Sequence, residues 1–287
     1  MIYTAIFLAL TFISCDFSTA DTYTSENNAD HGTASDLPQA YTEFIDSIPD
    51  YYQRDMSFGG FEGKGAMYCG PASASNALMW LFQRGHSNLI EPTSDPVKDQ
   101  HELIKLLGSS KYFRTGPKGT NPAQITSGLK EFFEDRDIGD VEIDYYGWRY
   151  VRGEFRTGRT IPELALLKEG LQSHDAVLLN YGWYRYDAKK DEYTRTGGHW
   201  VTLTGYGHDG RNEDPSVLIV HDPETRKRVN DYIKTEKIRS GTLKGSLGGL
   251  PRKANRFIKF RESSYRVGII DGAILIKLPA AKAVANR

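Results

Sequence analysis

Cys69 lies in the run Tyr68-Cys69-Gly70-Pro71-Ala72-Ser73. A thiol at the mouth of a helix is well placed for chemistry. The unpaired backbone N–H groups and the positive helix end favour the thiolate, the form that attacks a carbonyl carbon. Gly70 lets a substrate carbonyl come close to the backbone, and the small residues after it let the helix pack tightly beneath a cleft. Such a nucleophile needs a base, and the chain has seven histidines. His31 falls in a polar N-terminal stretch, His86, His101 and His174 at helix ends or in loops, and His208 in a turn. His199 follows Gly197-Gly198 at the start of an alternating strand, where a ring can face a cleft. Asp222 lies 23 positions later, at the end of the next apolar strand. If those strands are antiparallel neighbours, Asp222 reaches the ring of His199 and orients it through its other nitrogen. His221 is adjacent, but strand alternation sends it to the opposite face. The plain alternatives are a buried structural cysteine and a half-buried strand histidine.

Cysteine arithmetic adds weight to Cys69. The only other cysteine is Cys15, two residues after the uncharged apolar run Ile6 to Ile13. That run is short for a membrane span and suits the apolar region of an export signal. Cleavage after Ala20 follows from the small-x-small triplet Ser18-Thr19-Ala20. Cleavage before Cys15 would instead leave a lipidated N-terminus that anchors the chain to a membrane. Either way, Cys69 is the one thiol left in the mature domain, and no intramolecular disulfide is available to it. The expected organisation is a signal over residues 1–20, a polar tether over 21–40 and one catalytic domain over 41–287. The expected location is periplasmic, membrane-anchored or secreted.

The elements that must position these residues divide into helices first and strands second. Ala74, Ala77, Leu78 and Leu81 share one helical face after Cys69, with Pro71 in the first turn and Gly85 past the end. Further helices are expected over 96–107 and 121–134. A fourth is expected from a capping-box pattern, Thr160 with Glu163, ahead of Leu164, Leu167 and Leu171. Strands are expected at 176–179 with 183–186, at 198–206 and at 217–220. A last hairpin is expected around Asp271-Gly272, with 145–148 as one extra strand. The order indicates an α+β architecture.

Together, the segment 68–73, then Gly198-His199-Trp200-Val201 with Gly205-Tyr206, then Val220-His221-Asp222-Pro223, resembles the papain-like cysteine peptidases of the bacteriocin-leader-processing type (peptidase family C-39-like). The resemblance covers roughly residues 60–225. It implies a papain-like fold, with an N-terminal helical half packed on a C-terminal antiparallel β-sheet. It also implies Cys69 as nucleophile, His199 as general base and acid, and Asp222 as the orienting carboxylate. The family commonly carries a glutamine shortly before the cysteine as a donor to the oxyanion, but position 63 here is Gly. The remaining oxyanion candidates are the Cys69 backbone N–H, Gln53 and Lys64. Lys64 enters because a secreted immunoglobulin-cleaving branch uses a lysine for this job, and Asn76 and Trp80 resemble residues of its helix. Loss of one oxyanion donor costs roughly a hundred- to thousandfold in rate.

Other classes find little support. The chain has 287 residues, 39% of them hydrophobic and 25% charged, with a net charge of −1, and nothing global points to nucleic acid. Gly60-Phe61-Glu62-Gly63-Lys64-Gly65 lacks the spacing of a phosphate loop and reads as a lip beside the thiol. No cluster has metal-ligand spacing, no Gly-x-Ser-x-Gly elbow occurs, and no cofactor is implied. Trp148, Trp183, Tyr184, Tyr186 and Trp200 serve core packing or line a groove. The basic stretch 226–261 reads as a solvated loop, or as a contact for anionic membrane or cell-wall material. The expectation is therefore a monomeric, exported cysteine peptidase or amidase acting on a peptide or protein substrate. The alternatives are a surface-tethered binding protein that has lost catalysis, and a thiol acyltransferase of transglutaminase-like chemistry.

Overall fold

The computed structural model describes residues 43–45, 47–173, 176–226, 230–245, 251–262 and 266–279. The expected signal and tether, Cys15, His31, His174, Lys227 and Arg228 lie outside the described residues. The helices come early: α1 (Cys69–Gln83), α2 (Pro96–Gly108), α3 (Pro122–Glu134) and α4 (Leu164–Ser173). The strands are β1 (Glu43–Phe44), β2 (Glu142–Gly147), β3 (Ala176–Asp187), β4 (Glu192–His208), β5 (Glu213–His221), β6 (Asp231–Lys237), β7 (Thr242–Lys244), β8 (Arg252–Lys253), β9 (Ile258–Glu262) and β10 (Val267–Lys277).

Six of these strands close on themselves. β3 pairs with β4, β4 with β5, β5 with β6, β6 with β9, β9 with β10, and β10 returns to β3, every pair antiparallel. The expectation of a papain-like α+β fold, with an open sheet packed on a helical half, is therefore corrected: the architecture is a closed six-stranded antiparallel barrel with extra strands and few helices. Closure leaves β3 no free edge, which removes the hazard of an exposed long strand. β2 extends the sheet on β10, β1 and β7 add to β4, and β8 pairs with β7.

Parity along the strands builds two cores. Val177, Leu179, Val201, Leu203, Leu218, Val220 and Phe260 come from five of the six barrel strands with Leu275, and pack together on the inner face. Leu167 and Leu171 of α4 join them. Opposite parity sends Ala176, Leu178, Trp200, Ile274 and Ile276 outward against α1 and α3. Both faces of β3 are thus buried, which is why its sequence is continuously apolar rather than alternating. A polar seam fixes α1 on β4. Ser73 Oγ donates to the Trp200 carbonyl at 2.9 Å and Thr202 Oγ1 to the Ser73 carbonyl at 2.8 Å, while Gln100 Nε2 of α2 donates to Asn76 Oδ1 of α1 at 2.8 Å. These buried groups are mutually satisfied, so the seam sets register at little cost.

The first three helices start within a residue of where the sequence places them. Asp95 caps α2 through Val97 and Lys98 N–H, and Asn121 with Gln124 forms a reciprocal capping box on α3. The expected box at Thr160 does not form. α4 begins at Leu164, and Glu163 is drawn instead to an ion pair with Arg256. The expected hairpin at Asp271-Gly272 is also absent. β10 runs straight through, with a register shift between Ile270 and Gly272. Asp271 is 0% exposed and accepts from Arg195 Nε at 2.7 Å, Trp148 Nε1 at 3.0 Å and the Tyr184 hydroxyl. An Asp-Gly pair that reads as a turn is here a bulged strand holding a buried ion pair. The basic stretch 226–261 is not a solvated loop where it is described. It supplies β6 to β9, and Lys234, Lys244 and Lys259 pair with Asp214, Glu192 and Glu236.

Candidate active site

The site forms where three elements end or cross. Cys69 is the first residue of α1, His199 lies within β4, and Asp222 immediately follows β5. No described backbone carbonyl accepts the Cys69 N–H outside the helix, as befits a first helical position. Asp222 opens the turn Asp222-Pro223-Glu224-Thr225, closed by Thr225 N–H donating to the Asp222 carbonyl at 2.8 Å. Proline at the second position of such a turn is favoured by its fixed φ. Asp222 keeps the parity of Leu218 and Val220, so its carboxyl faces the side on which His199 follows Val201 and Leu203.

The three predicted residues come together. His199 Nε2 lies 2.6 Å from Asp222 Oδ1, and the Cys69 thiol is close enough to the imidazole to raise its pKa. With Nε2 on the carboxylate, Nδ1 is the nitrogen left for sulfur. The Glu224 N–H donates to Asp222 Oδ1 at 2.9 Å, and the Tyr181 hydroxyl donates to Oδ2 at 3.1 Å. Tyr181 is paired in register with His199 across β3 and β4, and its ring packs 5.3 Å from the imidazole. Asn180 Nδ2 donates to the His199 carbonyl at 3.2 Å, and Trp200 Nε1 to the Thr120 carbonyl at 2.9 Å. These bonds pin the strand on both sides of the histidine.

Electrostatics follow from the geometry. Burial alone would lower the pKa of His199. The charge and hydrogen bond of Asp222, with the Cys69 thiol beside the ring, overcome this and hold it well above the usual histidine value. Burial would raise Asp222, but the His199 charge and the bonds from His199, Glu224 and Tyr181 hold it below the usual carboxylate value. The phenol of Tyr181 is pushed far up by burial and by Asp222, so it remains a donor. A second carboxyl, Asp231, stands behind the group. Burial and the charge of Asp222 raise it to about 6.

The other candidates fall differently. Gln53 is buried, but its amide donates to the carbonyls of Gly65 at 3.0 Å and Ala66 at 3.3 Å. In this arrangement both amide protons are committed, so Gln53 braces the lip rather than offering a donor to an oxyanion. Its backbone N–H donates to the Pro223 carbonyl at 2.8 Å, which ties the lip to the Asp222 turn. A Cβ at Gly65 would sit 1.8 Å from the Gln53 carbonyl oxygen, so only glycine fits that close approach. Lys64 is exposed at φ 55° and is not drawn into the buried group. His101 is occupied by Tyr51, whose hydroxyl lies 2.9 Å from its Nδ1; His221 bridges the Pro49 carbonyl and Asn230. Of the aromatics, Tyr184, Trp183 and Trp200 are buried, Trp148 bonds Asp271, and Tyr186 is exposed.

Tyr181, Asn180 and the Glu224 N–H are parts of the site that sequence reading did not single out. The available signal for Tyr181 was its parity with Leu179 and Trp183 on a strand next to that of His199. Reading 176–186 as one strand would have exposed it. Among the described residues, no group of histidine, cysteine, aspartate and glutamate has the arrangement of a metal site, and no helix is long and apolar enough to cross a membrane. No protein-family model matches the sequence, and no curated protein matches it either.

Proposed function

We infer that this chain is a thiol-dependent hydrolase of peptide or amide bonds, with Cys69 as nucleophile, His199 as acid and base, and Asp222 as the orienting residue. The observation that carries this reading is the hydrogen-bonded row Tyr181–Asp222–His199, with Cys69 beside the imidazole. A buried structural cysteine has no need of an imidazole held protonated by a carboxylate. The Cys69 sulfur, as thiolate, adds to the scissile carbonyl carbon. The resulting oxyanion faces the Cys69 N–H at the helix mouth. The C–N bond breaks as His199 gives its proton to the departing amine. Neutral His199 then takes a proton from water, whose oxygen adds to the acyl carbon. The C–S bond breaks and the thiolate–imidazolium pair is restored. The order of motifs, which resembles that of the C-39-like peptidases, supports this chemistry and says nothing of the fold. The apolar N-terminal run supports an exported enzyme, free or anchored through Cys15.

A peptidyl thiol-directed electrophile tests the reading. The native chain is expected to be labelled at Cys69, and His199→Ala to slow labelling at neutral pH at least tenfold. Equal labelling of Cys69→Ala and native protein, or indifference to His199, overturns it. Adding an amine acceptor separates hydrolysis from acyl transfer.

A further inference from the structure

A pocket of about 370 Å³ opens at the N-terminus of α3, and none of its lining residues belongs to the row at Cys69. Three arginines line it, Arg114, Arg149 and Arg152, and no carboxylate does. Arg114 is paired with Glu131 at 3.2 Å. Arg149 and Arg152 have no ion pair with a described residue. Burial, then the neighbouring Arg195 charge, lower the pKa of Arg149 against the opposing charge of Asp271. On the helix side, Ala123 presents a first-turn N–H that the Asn121–Gln124 capping box does not use. Ser127, one turn further on, is only 5% exposed, lines the pocket, and has no hydrogen-bond partner for its hydroxyl. A buried hydroxyl left unpaired costs about 1–3 kcal/mol unless something else satisfies it. Arginines, a helix N-terminus and a free donor share one complement, an oxyanion.

The pocket adjoins the candidate active site. Asn121, at its edge, follows Thr120, whose carbonyl accepts from Trp200 Nε1 beside His199. Thr120 also packs against Gly70, next to Cys69, so closely that a Cβ there would lie 3.2 Å from it. Thr120 and Asn121 thus link the two sites along one short stretch of chain, and an extended peptide covers about 3.3 Å per residue. On a peptide, the oxyanion is a carboxylate.

We propose that this pocket is a substrate subsite that takes a carboxylate, either the free C-terminus or an acidic side chain of the peptide. The proposal rests on the hydrolase reading for its substrate class, but binding can be measured without turnover. Fluorescent peptide pools are titrated onto Cys69→Ala protein in matched pairs: C-terminal acid against amide, and Asp and Glu against Asn and Gln. At least one acidic pool should bind about tenfold tighter than its neutral partner. Arg152→Gln, at an exposed position, should bring the pair within about twofold, and Ser127→Ala should narrow it. Equal binding of acidic and neutral pools, no binding of any pool, or a preference that survives Arg152→Gln with Arg149→Gln overturns the subsite. Which acidic pool wins distinguishes terminus from side chain. If native protein cleaves no peptide while carboxylate-dependent binding persists, the hydrolase reading has failed and the subsite has not. Cleavage without discrimination between the paired pools is the reverse case.

Discussion

Tyr181→Phe removes one oxygen from the centre of the site and nothing else. The ring stays, so the packing against His199 at 5.3 Å and against Phe260 at 4.8 Å is retained and no cavity opens. What is lost is one of three hydrogen bonds to the Asp222 carboxylate. A hydrogen bond to a charged group contributes about 1.5–3 kcal/mol. The ionised form of Asp222 should weaken by that amount, which moves its titration up by about 1–2 pH units. Asp222 is held below its ordinary value in the native state, so its contribution to stability is present above the unfolded carboxyl value. It is lost as pH falls through the folded one. Urea unfolding at pH 7 should therefore show Tyr181→Phe less stable by about 1.5–3 kcal/mol. Only below the depressed folded value of Asp222, under the ordinary carboxyl range, is the carboxyl protonated in both states; there a neutral bond of about 0.5–1.5 kcal/mol is at stake and the deficit should shrink. Turnover should fall with the acid limb of kcat/KM displaced upward. A deficit independent of pH, or an unmoved acid limb, would refute the claim that the Tyr181 hydroxyl acts by stabilising the Asp222 charge.

Four further outcomes follow from neighbouring geometry. Asp222→Asn removes the main support of the raised His199 pKa, so the alkaline limb of kcat/KM should move down toward the ordinary histidine range, and the rate should fall by up to about 10⁴. In native protein, the stabilisation from the raised His199 pKa should be complete below about pH 6.5 and fade as pH rises through the folded value, measured by thermal unfolding against pH. Asp231→Asn removes a carboxyl pushed up to about 6, whose buried charge opposes folding above that pH; it should stabilise at pH 8 by up to roughly 3 kcal/mol, with the gain vanishing by pH 4. Asp271→Ala leaves Arg195 buried and unpaired and should cost about 3–5 kcal/mol in urea, whereas the exposed pair Lys105 with Glu102 should cost under about 1 kcal/mol to break.

The local parts of the site could be read directly from sequence. The helix at Cys69 follows from apolar residues on one face between Pro71 and Gly85, and α2 and α3 from Pro96 and the Asn121–Gln124 box, because these signals act within one or two turns. The meeting of His199 and Asp222 follows from strand parity and from adjacent strands tending to pair. Closure of the barrel depends on β10 returning to β3, a pairing of the first barrel strand with the last that no local period records. Asp271-Gly272 shows the same limit in miniature. Its turn signal is local, whereas Arg195, Trp148 and Tyr184, which hold Asp271 inside a strand, arrive from elsewhere in the chain. Thr160 fails as a cap for a similar reason, since Glu163 finds Arg256. The fold assigned by resemblance erred because the motifs around Cys69, His199 and Asp222 describe the chemistry of three chain segments, not the sheet that carries them.

In the proposed reaction, Cys69 carries the acyl group between two chemical steps. Acid quenching within milliseconds of mixing the protein with a pool of peptidyl p-nitrophenyl esters, followed by mass spectrometry of the digest, tests it directly. The acyl mass should appear on the peptide containing Cys69 and disappear as product forms, with His199→Ala both slow to acquire and slow to lose it. Product formation with no acyl mass on Cys69, or an unchanged rate in Cys69→Ala, would contradict the account.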